Sequence, residues 1–178
     1  MYPFARVFLA MARARRAPRL GLTEEHVTRI RCRLGDLDVA RELNNGRTLT
    51  LMDSGRMPMF ERTGMFRAVY GAGMFITMAG VAVRWRRRVT WREKVTLRSR
   101  ILCWDARFFY VEQAMIRSDG EAANHAIYRV AVAGKGGIVA PERVAAMLDH
   151  HAPSPAMPDW VAAWVAAENQ RPWPPMQE

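Results

Sequence analysis

Residues 35–46 read GDLDVARELNNG, and what the chain must do on either side of them decides the fold. Gly35, Asp36 and Asp38 favour a turn. Upstream, VTRIRCRL at 27–34 sets Ile30, Cys32 and Leu34 on one face and Arg29, Arg31 and Arg33 on the other. Period two is the mark of a half-buried strand. Downstream of Asn45 the period changes: Leu49, Met52, Met59 and Phe60 recur at helical spacing, and Gly64 supplies a stop. Asn44 or Asn45 is a natural N-cap for that helix. Pro58 falls inside it and is expected to kink or loosen it, at a cost of about 3 kcal/mol.

Most of the chain beyond Gly64 reads as strand. The run 75–89 alternates strictly from Val81 onward, and 95–104, 108–117 and 122–133 continue the pattern. Ser118-Asp119-Gly120 between two such runs is a hairpin signal. Gly134, Gly136 and Gly137 end the last strand, Pro141–Leu148 reads as a short helix opening on proline, and Asp159–Asn169 as another. One strand, one long helix and four antiparallel strands make an α+β chain whose sheet curls around the helix, because the helix then buries its apolar stripe.

The chain's 178 residues suffice for one domain with a real core. A formal charge of +10 points to an anionic partner, whether nucleic acid, an acidic membrane surface or a phosphate-rich small molecule, or else to a merely basic soluble surface. Cys32 and Cys103 fit no metal spacing and read as buried free thiols. Residues 1–17 are too short and too interrupted by Arg6 to span a bilayer, and their charge follows the apolar part, against the order of a secretory signal. They read as an amphipathic helix with Phe4, Phe8 and Met11 on one face. Such a helix packs on its own domain, or lies on an anionic membrane as a peripheral contact. The expected location is cytoplasmic.

The residues able to do chemistry crowd between the first strand and the helix: Asp36, Asp38, Glu42, Asn44, Asn45 and Gly46. A helix start offers unpaired N–H groups and a positive dipole end, which can hold the negative charge that develops on a carbonyl oxygen. A carboxylate nearby can attack the carbonyl carbon or take a proton from water. Turn and cap roles are the plain structural alternative for the same residues. Asp53 and Arg56, three apart on the helix, suit an ion pair, whereas Glu61 reads as a solvated charge. In a strand, Arg84, Arg86 and Arg88 share one face, with Trp85 and Arg87 on the other. Arginine suits bidentate phosphate binding and tryptophan can stack on a purine; an exposed basic strand face is the alternative. His125, His150 and His151 have no partner set for a metal.

GDLDVARELNNGRTLTLMDSGR resembles the signature of hotdog-fold thioesterases related to the 4-hydroxybenzoyl-CoA thioesterases. Asp38 matches the acidic residue such enzymes use on the thioester, Asn44 and Asn45 the asparagine pair, and Asp53, Gly55 and Arg56 the end of the pattern. The resemblance implies a hotdog fold: a long central helix wrapped by a curved antiparallel sheet of five or six strands. It divides the chain into an N-terminal helix (1–20), the hotdog domain (21–150) and a C-terminal helical extension (151–178). It implies acyl-CoA or acyl-carrier-protein thioester hydrolysis, with Asp38 as nucleophile or base and Asn45 and Gly46 at the oxyanion; Glu42, outside the family pattern, is a further catalytic candidate able to accept hydrogen bonds or act as a base. Asn44, Arg84, Arg86 and Arg88 would bind substrate, without cofactor, in a homodimer that can extend to a tetramer. Glu42 stands where the family often has His and Thr48 where it usually has Tyr. These departures support a second reading, a catalytically weak protein that binds acyl chains or carriers. The arginines support a third, a basic membrane-surface or nucleic-acid binder, although no nucleic-acid motif is present.

Overall fold

Alternation of buried and exposed side chains builds a single antiparallel sheet, and one long helix fills its concave face. The structure is a computed structural model that describes residues 2–176; Met1 of the N-terminal helical segment and the last two residues of the C-terminal extension lie outside them. The elements are α1 (Phe4–Arg16), β1 (His26–Arg31), α2 (Asn45–Arg62), α3 (Met65–Gly71), β2 (Phe75–Trp85), β3 (Lys94–Trp104), β4 (Phe109–Arg117), β5 (Ala122–Gly134), β6 (Gly137–Val139), α4 (Pro141–Ala146) and α5 (Asp159–Gln170). The strands run in the order β1-β3-β4-β5-β2, with β6 folding back on β5. This is the α+β arrangement expected from the sequence.

Several boundaries differ from the periodicity. The alternating run at 75–89 leaves the sheet at Trp85, because Arg86 N and Arg87 N both donate to Ala123 O, at 2.8 and 3.2 Å. Gly64 does stop α2, with φ +81, yet α3 starts at the next residue and buries Met65, Phe66 and Val69. The glycines after β5 make a hairpin in which Gly134 faces Gly137, adding β6. Pro58 does not break α2, which runs unbroken from Asn45 to Arg62 with the ring buried.

Helix α2 sits unusually close to the sheet at Gly55. A Cβ there would lie 2.6 Å from Ser99 Oγ and 3.2 Å from Gln113 Nε2. Around this contact a polar cluster is buried inside an apolar core of Leu51, Met52, Met59, Phe60, Leu97, Ile101 and Met115. Gln113 accepts from Arg56 Nη1 at 2.8 Å and donates to Met52 O at 2.9 Å and Ser99 Oγ at 2.7 Å. Arg56 pairs with Asp53 as its spacing suggests, and its guanidinium lies 4.0 Å from the centroid of the Tyr128 ring.

Helix α1 covers the outer side of α2, and of the expected face Phe4, Phe8 and Met11 only Met11 packs against the core. Val7 and Ala14 are buried while Phe4 and Phe8 point to solvent. Polar contacts set this rotation. Tyr2 OH donates to Asp53 Oδ2 at 2.8 Å, Arg6 Nη1 to Asp36 Oδ2 at 2.7 Å, and Arg15 Nε to Glu61 Oε1 at 3.0 Å. Glu61 is therefore paired rather than free in solvent. At the other end of α2, Arg62 Nη1 lies 3.0 Å from His26 Nδ1; burial and then this guanidinium push the imidazole down to about 4. Helix α5 covers the convex face of the sheet, where Val161 and Trp164 pack with Tyr110, Phe108 and Ile127. Cys32 and Cys103 are buried free thiols, and burial pushes each up to about 11.

Gly55→Ala is expected to destabilise the fold by about 1–3 kcal/mol, since the added methyl forces Ser99, and with it Gln113, out of place. Urea denaturation of the two proteins reads this directly.

Candidate active site

The loop between β1 and α2 is built on Asp36 rather than on Asp38. The Asp36 side chain is fully buried and receives Arg6 Nη1 at 2.7 Å, Arg47 Nε at 2.8 Å and the Arg33 amide at 2.8 Å. Burial alone would raise its pKa; the hydrogen bonds from Arg33, Arg47 and Arg6 outweigh that and hold it below the usual carboxylate range. Its carbonyl accepts from Asn44 N at 3.0 Å, which closes residues 36–44 into a small loop.

Within that loop Leu37 faces Leu43, and Asp38 N donates to Glu42 O at 2.9 Å. Arg41 takes φ +60 to complete the turn. The half-buried Asp38 carboxylate accepts through Oδ1 from Ala40 N at 2.9 Å and from Glu42 N at 3.4 Å. Asn44 is the N-cap of α2, its Oδ1 accepting from Arg47 N at 3.0 Å. Thr48 is buried and donates to Asn44 O at 3.2 Å. Asn45 N and Gly46 N, the first two amides of the helix, donate to no group among the described residues. They are the pair that a carbonyl oxygen would meet.

The early departure of β2 from the sheet carries the basic run to this loop. Leu43 N donates to Val89 O at 2.8 Å, and Glu42 bridges Thr90. A cleft of about 170 Å³ results, lined among others by Glu42, Asn45, Trp85, the arginines 86–88 and Asn124. Glu42 pairs with Arg88 at 2.8 Å, so its charge is answered by an arginine. Arg87 pairs with Glu121 at 2.9 Å. Arg84 lies outside the cleft, in register with His125, because it precedes the point where the chain turns away. The expected alternation of Arg84, Arg86 and Arg88 therefore stops at Trp85. Asp38 does not line the cleft itself. Asn124 does, and was not singled out in the sequence; its only signal is a polar side chain opposite Trp85 at a buried strand position.

Helix, sheet order and loop together define a hotdog domain. A profile described as Thioesterase-like superfamily matches residues 32–165, and the chain belongs to that superfamily. Protein THEM6 of Xenopus laevis is 32% identical over 132 residues, covering 73% of this chain and 62% of that protein. Protein THEM6 of Danio rerio is 31% identical over 97 residues, covering 54% of this chain and 48% of that protein. The chain thus spans about half to three fifths of the length of these relatives. Among solved structures, the YbaW probable thioesterase of Escherichia coli superposes with TM-score 0.66 at 18% identity, covering 71% of this chain and 98% of that one. The DHNA-CoA thioesterase of Staphylococcus aureus gives TM-score 0.60 at 14% identity, covering 82% and 91%. At these identities the structural likeness concerns the fold.

The lowered pKa of Asp36 ties the loop to pH. Its stabilisation is complete above about pH 4, the unfolded value, and is lost as the pH falls through the lower folded value. Asp36→Asn leaves Arg6 and Arg47 without their counter-charge, costing about 3 kcal/mol at neutral pH, and flattens the acid limb of the stability curve. Thermal unfolding of both proteins from neutral pH downward measures both effects.

Proposed function

We propose that this chain hydrolyses acyl thioesters of coenzyme A or of an acyl carrier protein, and that the start of α2 is where the carbonyl is held. One observation carries the reading: Asn45, whose amide is unpaired as is that of Gly46 next to it, lines a cleft that also holds Trp85 and Arg86. The thioester carbonyl oxygen accepts from the two amides, where the helix dipole favours the developing oxyanion. Asp38 takes a proton from water as the water oxygen adds to the carbonyl carbon. The C–S bond then breaks, the sulfur takes up a proton, and a carboxylic acid and a thiol leave. Direct attack by the carboxylate is the other route open to Asp38. Arg86 and Arg88 suit the phosphates of a nucleotide carrier and Trp85 its base.

The two amides that Asp38 already accepts favour a second reading, in which the cleft binds acyl thioesters without efficient turnover. Strand β2 supports a homodimer. It is a long edge strand with Phe75, Met78, Val81 and Trp85 all exposed, and such edges in proteins are paired or protected. Pairing with the same strand of a second copy would continue the sheet.

Release of free thiol from acyl-CoAs of graded chain length tests the enzyme reading. Asp38→Asn is expected to lower kcat by about 10²–10⁴-fold. Asn45→Pro removes one amide yet suits the first helical position, after an Asn44 that is already extended at ψ 136; it is expected to lower kcat by about 10²–10³-fold. Equal turnover by wild type and Asp38→Asn on every chain length would leave the binding reading. Light scattering is expected to give two copies, and Val81→Lys, mid-edge on β2, a monomer.

A further inference from the structure

We propose that the outer face of α1 and the neighbouring edge of β1 form a docking surface for an anionic lipid bilayer, independent of the thioester site. The helix leaves Phe4, Phe8 and Leu9 at 61%, 70% and 53% exposure, three large apolar side chains on one short helix. Leu9 lines a cleft of about 160 Å³ between α1 and β1, together with Arg13, Arg29, Arg31 and Arg33. Among the described residues no carboxylate pairs with any of these four arginines. At the floor of the cleft lies Ser54, whose buried Oγ has no hydrogen-bond partner.

The two halves of this surface ask for one occupant. Unpaired arginines around a buried hydroxyl suit a phosphate headgroup, with guanidinium forks and an O–H donor. The exposed phenylalanines and leucine beside them suit the acyl boundary of a bilayer, where an interfacial helix gains from apolar burial and basic charge together. A nucleic acid leaves Phe4 and Phe8 unexplained. A second copy brings its own +10 charge and the same four arginines against this face. No described helix is long and apolar enough to cross a membrane, so the contact is peripheral.

Co-sedimentation of the full chain with phosphatidylcholine vesicles, with and without phosphatidylglycerol, tests this. Binding is expected only to the anionic vesicles and weakens as salt is raised. Arg29→Glu/Arg31→Glu is expected to weaken it by more than about 20-fold, taking about fivefold per arginine near an anionic surface. Phe8→Ser, at a solvent-facing position, is expected to weaken it by about tenfold while circular dichroism stays unchanged. Equal binding to both vesicle types, no binding to either, or binding that neither variant alters would overturn the proposal. So would calorimetric binding of glycerol phosphate in solution without vesicle association, which would mark a soluble phosphate ligand. A change in light-scattering mass with Phe8→Ser would instead assign the face to a second copy.

Discussion

A carboxylate shut away from water must be compensated by its neighbours, and Asp36 recruits them from three parts of the chain. Arg6 comes from the N-terminal helix, Arg47 from the first turn of α2, and the Arg33 amide from the loop just past the first strand. Leaving that charge unpaired would cost several kcal/mol, so the three segments are obliged to meet at one point. Because Asn44 then closes on the Asp36 carbonyl, the start of α2 is fixed relative to the sheet before any ligand is present. The open amides of Asn45 and Gly46 inherit their position from this arrangement.

The middle of α2 is held by a different means. Gly55 lets the helix backbone press against Ser99 and Leu97, and Arg56, Gln113 and Tyr128 add a polar cluster beside this contact. Polar groups inside a core are costly unless each finds a partner. Here Asp53 and Tyr2 carry the chain of partners out toward the surface helix, and Arg56 Nε is the one atom of the guanidinium left without a hydrogen-bond partner among the described residues. An all-apolar layer would bind the helix as strongly but would tolerate sliding along its axis; directional hydrogen bonds to Met52 O and Ser99 do not. The helix start and its middle are thus registered against the same sheet by two separate polar anchors.

The helix, the order of strands and the loop that joins them were legible in the sequence because periodicity and turn residues act locally. The family resemblance rested on the same loop, and it drew attention to Asp38. What periodicity does not contain is which of two aspartates separated by one residue is buried. That choice is made by Arg6 and Arg47, 30 and 11 residues away. The rotation of α1 was hidden for the same reason. Its apolar residues cover most of the circumference, and the carboxylates of Asp36, Asp53 and Glu61 select the face that turns inward. The strand ending at Trp85 was invisible as well, since nothing in Arg86 to Arg88 shows that the partner strand has run out at Ala122. Helix α3 and strand β6 are short, and their glycine borders read equally well as loop.

The fastening of α1 has a consequence in time. Its three polar contacts join residues 51, 30 and 46 positions apart, and the last of them awaits Glu61. During synthesis this helix precedes the central helix and waits while that one is made, with its arginines and phenylalanines both unclaimed. Closing loops of this length costs entropy that only the finished core repays. A helix made well before its partners is therefore among the later segments to be captured, and until then it is open to proteases and to chaperones.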